Sequence, residues 1–150
     1  MPLNWLKDKT AGTRAMLSAE VSKFRNKTFM EAVVAACAMM AAASGGVSAD
    51  EKQKMAGFLQ SSDELKHFEM TQVIAFFNKI TASFEFDVEI GRAEALKVIG
   101  RLRGNQEQAR LMVRVACSIG SSDGNFDADE KKMASVICKE VGLNPADFDL

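Results

Sequence analysis

The residues best suited to chemistry lie between Asp123 and Glu130. The run Asp123-Gly124-Asn125-Phe126-Asp127-Ala128-Asp129-Glu130 puts oxygen-bearing side chains at 123, 125, 127 and 129, with Glu130 beside the last. Hard cations such as calcium gather about 6–8 oxygen ligands, and an EF-hand loop begins with this spacing. The likeness stops there. The sixth position of such a loop is Ala128, where glycine is needed, and the twelfth is Ala134, where a bidentate glutamate is needed. A complete EF-hand is excluded. An irregular, oxygen-rich site for a divalent cation (calcium, magnesium or zinc) stays open. The competing reading is helix capping. Asp127 and Glu130 have the spacing of a capping box, and the helix dipole favours carboxylates at a helix start by roughly 0.3–1 kcal/mol each. Four carboxylates within eight residues repel one another unless a cation or a basic partner offsets them.

Two other acidic groups are weaker candidates. Ser48, Asp50 and Glu51 open a second capped turn, but Gly45 stands where the later loop has Asp123. Glu85, Asp87 and Glu89 form a third group, which either joins one of these loops in space or, the favoured reading, is a solvated turn.

Thiol chemistry is the other option. Cys37, Cys117 and Cys138 have no C-x-x-C spacing, and their odd number argues against a disulfide framework. Cys37 and Cys117 fall on apolar helical segments with no histidine or basic cluster beside them, so a low-pKa thiol is not expected. Cys138 reads as similar but less enclosed. His67 is the one histidine and sits in a charged segment, so it reads as a surface or satisfied residue. The nine methionines recur at core spacing and suit packing better than soft-metal binding. Lys23, Arg25 and Lys27, then Arg101 and Arg103, then Arg110 and Arg114 read as solvated basic faces. No aromatic interleaving points to nucleic acid, and no nucleophile–base order or glycine-rich phosphate loop is present.

The elements that must position these residues are helices. Alanine occurs 21 times and proline twice, in a chain of 150 residues with 47% apolar and 26% charged side chains and a net charge of −1. That composition suits one folded domain over 1–150 and gives no general attraction to nucleic acid or anionic membrane. No signal peptide is evident at the N-terminus. The longest apolar run, Ala32 to Ala43, falls short of the ~20 residues of a membrane span, so a core helix in a cytoplasmic protein is expected.

Apolar periodicity predicts helices over about 11–25, 28–44 and from Ser48 onward, with a short helix starting near Ser62. Further helices carry Val73, Phe76, Phe77, Ile80 and Phe84; Ala95 to Leu102, ending near Gly104; Ala109 to Gly120; and Met133 to Val141, stopped by Gly142. A last short helix follows Asn144-Pro145. The stretch Phe84 to Ile90 alternates apolar and acidic residues and imitates a strand. With no partner strand in sight, it is expected to be a helix end, a turn and a new start with Asp87 as N-cap. The turn at 44–52 is echoed at 122–131, about 79 residues later, as two duplicated helical hairpins would produce. The expectation is an all-α domain of about seven to eight helices.

Several strings are specific enough to suggest a family. KTFM at 27–30, GVSADEKQKMAG at 46–57, FLQSSDEL at 58–65, VIAFFNK at 73–79, SFEFDVEIG at 83–91 and SDGNFDADEK at 122–131 resemble the TerB family of bacterial tellurite resistance proteins. The resemblance runs from about Lys23 to Leu150; residues 1–22 are less diagnostic. It implies an all-α fold of two related helical hairpins and a link to tellurite, phage and colicin resistance. It implies no established enzymatic activity. It also implies an acidic surface suited to a metal ion, a basic surface elsewhere, and other Ter proteins as partners, one of them a membrane protein. Carried over by residue, Asp123, Asp127, Asp129 and Glu130 are the main metal candidates, with Asp50, Glu51, Glu85 and Asp87 (and Glu89 beside them) weaker. Gly45 stands where the family often has an aspartate. The resulting expectation is a non-enzymatic cytoplasmic adaptor in the stress response, recruited to the membrane through partners and not inserted in it. The alternatives are a thiol-dependent tellurite reductase and a cation-independent interaction module.

Overall fold

A computed structural model describes residues 26–43, 66–120 and 127–150, with positions 19, 53, 56–57 and 60–61 besides. Five α-helices occur among the described residues: α1 (Lys27–Ala41), α2 (Met70–Phe86), α3 (Val88–Ile99), α4 (Gln106–Gly120) and α5 (Ala128–Glu140). Tight 3-10 turns follow α3 at Gly100–Leu102 and α5 at Pro145–Phe148. No strand is present among the described residues.

The centre is α1. Asn26 starts it, its Oδ1 accepting from the Phe29 N–H at 2.7 Å. Phe29, Met30 and every residue from Ala32 to Met40 are buried. A helix apolar on all sides must be enclosed. The others enclose it: α2, α3, α4 and α5 all pack on α1. Alanines 32, 35, 36 and 38 let those helices approach closely. The inward residues of the surrounding helices follow the expected periodicity. Val73, Phe77, Ile80 and Phe84 of α2, Ala95 and Ile99 of α3, Met112, Val113 and Ala116 of α4, and Ile137 of α5 are all buried.

The expected seven to eight helices become five α-helices among the described residues. The one expected after Pro145 is a single 3-10 turn, with the Asn144 side chain accepting from Ala146 N–H and the chain turning left-handed at Asp149. The helix expected to end near Gly104 stops at Ile99, where the chain tightens into the 3-10 turn. The segments expected at 11–25 and from Ser48 to beyond Ser62 lie mostly outside the described residues, although Ala19, Gln53, Ala56, Gly57, Gln60 and Ser61 have helical backbone.

The strand-like stretch is a helix corner, as expected. The Asp87 side chain accepts from the Ile90 N–H at 3.1 Å and starts α3. Gly91 sets how closely α3 crosses α2. A Cβ built there would lie 2.6 Å from both Cα and N of Phe84, so no larger residue fits without movement. At the other end of the molecule α5 stops in a Schellman arrangement. Gly142 has φ of +77°, the Leu143 N–H reaches the Cys138 carbonyl at 2.8 Å and the Gly142 N–H reaches Lys139 at 3.2 Å. Arg103 Nη1 adds a 2.7 Å bond to the Glu140 carbonyl.

Gly91→Ala is expected to lower stability by about 1–3 kcal/mol, the usual cost of overpacking a tight contact. Thermal unfolding of the two proteins measures it, and an unchanged midpoint would mean that α2 and α3 do not cross as described.

Candidate functional site

The acidic residues that the structure describes sit at two helix starts. At the start of α5, Asp127 has extended backbone, and its Oδ1 accepts from the Glu130 N–H at 2.8 Å. Glu130 Oε1 accepts in return from the Asp127 N–H at 3.2 Å. The capping box read from the spacing is therefore formed. Asp127 is exposed and Glu130 is half-buried. Asp129 makes no part of the box and is exposed. Asp123, the fourth main candidate, lies outside the described residues, as do Asp50 and Glu51. At the start of α3, Asp87 caps the helix, and Glu85 and Glu89 flank it, both exposed. Among the described residues no three His, Cys, Asp or Glu side chains come together in a way that would hold a metal ion.

The basic residues divide. Arg101 is committed to Glu31, at 3.1 Å, and Glu31 is only 13% exposed. Lys27 stands 4.0 Å from the same carboxylate. Arg103 is committed to the end of α5. Arg110 approaches Asp147 at 3.8 Å across open solvent, a pair worth little. Sequence reasoning placed these arginines on a solvated face and missed that two of them tie helices together. It also missed a groove of about 370 Å³ between α1, α2 and α3, lined by Lys27, Lys79, Lys97 and Arg101 against Glu31 and Glu94. Its residues are far apart in sequence, and no local spacing announces it.

None of Cys37, Cys117 and Cys138 is in a disulfide, and all three are buried. Cys138, expected to be less enclosed, is fully buried, because α5 turns it toward the core beside Ile137. Burial pushes the Cys117 thiol far above its ordinary range, and the neighbouring Cys138, Cys37 and Glu130 push it the same way. Burial likewise pushes Cys138 up to about 12, with Asp147 contributing. Both stay protonated at neutral pH, and a protonated thiol is a poor nucleophile and a poor ligand.

No helix of the described residues is long and apolar enough to cross a membrane. Against known proteins, the family model described as "Tellurite resistance protein TerB" matches residues 30–150. A protein named "Tellurium resistance protein TerB" from Alcaligenes sp is 50% identical over 112 residues, covering 72% of this chain and 92% of that protein. No solved structure matches.

Two outcomes are expected. Asp127→Ala removes the side-chain oxygen that accepts from the Glu130 N–H, leaving only the bond from the residue 127 N–H to Glu130, and lowers stability in urea by about 1 kcal/mol, whereas Asp129→Asn, which breaks no cap, has a smaller effect. Cys117 and Cys138 make stability pH-dependent on the alkaline side. Their folded pKa values are raised above the ordinary 9.0, so their contribution is complete below pH 9 and is lost as pH climbs from there toward 12. Cys117→Ala should flatten that fall in an unfolding series, and an identical fall would assign it to other groups.

Proposed function

This chain belongs to the TerB family of tellurite resistance proteins, and from that premise we propose that it is a non-enzymatic cytoplasmic adaptor of the stress response. In this reading it binds other Ter proteins, one of them a membrane protein that brings it to the inner face of the membrane. The observation that carries the reading is the division between core and surface. The thiols of Cys37, Cys117 and Cys138 are buried, those of Cys117 and Cys138 held protonated, and carboxylates able to recognise a charged partner stand at exposed helix starts. A divalent cation (calcium, magnesium or zinc) held by Asp123, Asp127, Asp129 and Glu130 would let ion concentration control partner binding. The capping box is compatible with this at Asp127, since a carboxylate has about four acceptor sites and the cap uses one of them.

A second reading keeps the adaptor and drops the cation. The capping box already gives Asp127 and Glu130 backbone donors, and the positive end of the α5 dipole offsets part of their charge. The acidic start of α5 would then meet a basic partner surface directly.

Melting with each cation against chelator separates the two readings. A ligand at 100 times its Kd adds about 2.7 kcal/mol, which for a chain of this size raises the midpoint by roughly 5–10 °C. The cation reading expects that rise with one ion and its loss in Asp129→Asn, a variant that leaves the cap intact. No rise with any ion, together with capture of Ter proteins that salt weakens and chelator does not, supports the cation-independent module. Failure of the tagged chain to capture any Ter protein from cells that make them would contradict both.

A further inference from the structure

We infer that the corner between α2 and α3 is a docking knob for a short basic, apolar segment of a partner protein. The inference rests on the adaptor reading above and names the surface that reading lacks. Phe86 is 81% exposed, Ile90 46% and Val88 40%; among the described residues these are the large hydrophobic side chains left in solvent. They fall within five positions of one another and alternate with Glu85, Asp87 and Glu89, all exposed. Exposed apolar side chains scattered singly mean little, but a group rimmed by charge marks an interaction site.

The corner is built to hold them out. Phe84 faces the core at 2% exposure. Gly91 lies directly on its backbone. The Asp87 N–H reaches the Ser83 carbonyl at 3.0 Å, and the Gly91 N–H reaches the Asp87 carbonyl at 2.9 Å. With the Asp87 cap, these contacts fix the chain on both sides of Phe86. A knob whose backbone is fixed in this way loses little freedom on binding.

Size and charge select the occupant. Three partly exposed side chains offer far less than the ~800 Å² per partner of a standard interface between folded proteins, so a short segment fits and a broad face does not. At the start of α3, Asp87 and Glu89, both exposed, outnumber Arg92, the one cation within a turn or so of them on that helix. The segment should therefore carry lysine or arginine among its apolar residues. A second copy docked by two-fold symmetry would set carboxylates against carboxylates, and an anionic lipid surface would be repelled for the same reason.

The test uses the full chain and two fluorescein-labelled synthetic peptides of equal length, one amphipathic in leucine and lysine, the other in leucine and glutamate. Anisotropy should show binding of the leucine–lysine peptide alone, weakened by salt. Phe86→Ser should weaken it at least tenfold with the melting point unchanged, and Glu89→Lys should weaken it as well. In amide spectra the shifts should centre on 85–91. Equal binding by Phe86→Ser, equal binding of the leucine–glutamate peptide, or shifts centred elsewhere would overturn the knob. A concentration-dependent dimer in light scattering that Phe86→Ser abolishes would replace the partner segment with a second copy, and so overturn it too. Capture of Ter proteins from cells reads the adaptor proposal separately. Capture by the wild type and equally by Phe86→Ser sinks the knob alone; capture by neither sinks the adaptor.

Discussion

Enclosing α1 is the constraint on which the rest of the structure depends. From Ala32 to Met40 the helix has no face that tolerates water. Four other helices must therefore lie against it at once, and its alanines leave room for them. Its backbone donors and acceptors are satisfied within the helix, so burial leaves few polar groups stranded. Charge enters only near its first turn, where Glu31 meets Arg101 and Lys27. That contact ties the start of α1 to the turn after α3.

This arrangement leaves the charged groups at the rim. A core filled by α1 and the inward faces of α2 to α5 buries the thiols of Cys37, Cys117 and Cys138, and that burial keeps Cys117 and Cys138 protonated. The exposed features are the places where helices begin and cross. Asp87 and Asp127 each serve twice. One carboxylate oxygen satisfies an orphan N–H of its own helix, and the rest of the group adds to an acidic surface. In the proposed adaptor, stability and recognition would draw on the same residues, whereas Asp129 lies outside the cap.

Local rules made much of this legible in the sequence. The caps at Asp87 and Asp127 follow from a side chain meeting the N–H three residues on, which needs no knowledge of the fold. The buried positions of α2 and α4 follow from period 3.6, and the enclosure of α1 from its lack of any polar face. The family was legible in long strings such as SFEFDVEIG and SDGNFDADEK. What stayed hidden depends on how helices cross. Gly91 reads as an ordinary helix residue until α3 lies on Phe84. Alternation over Phe84 to Ile90 suggests that all its apolar residues face one way, yet Phe84 is buried while Phe86, Val88 and Ile90 are exposed. A helix end, a cap and a helix start follow one another there, and no single period spans them. Arg101 and Arg103 read as surface charges because their partners, Glu31 and the Glu140 carbonyl, are far away in sequence. The candidate residues Asp50, Glu51 and Asp123 lie outside the described residues, so the carboxylate group that the spacing suggested is described only in part.

The central claim is that the protein acts by binding at its rim and not through its buried thiols. The most direct measurement is tellurite resistance in cells whose only copy carries Cys37→Ala, Cys117→Ala and Cys138→Ala together, compared with wild type at matched levels of folded protein by circular dichroism. The account predicts equal resistance. Loss of resistance by a variant that remains folded and abundant would contradict it and put the chemistry in the thiols.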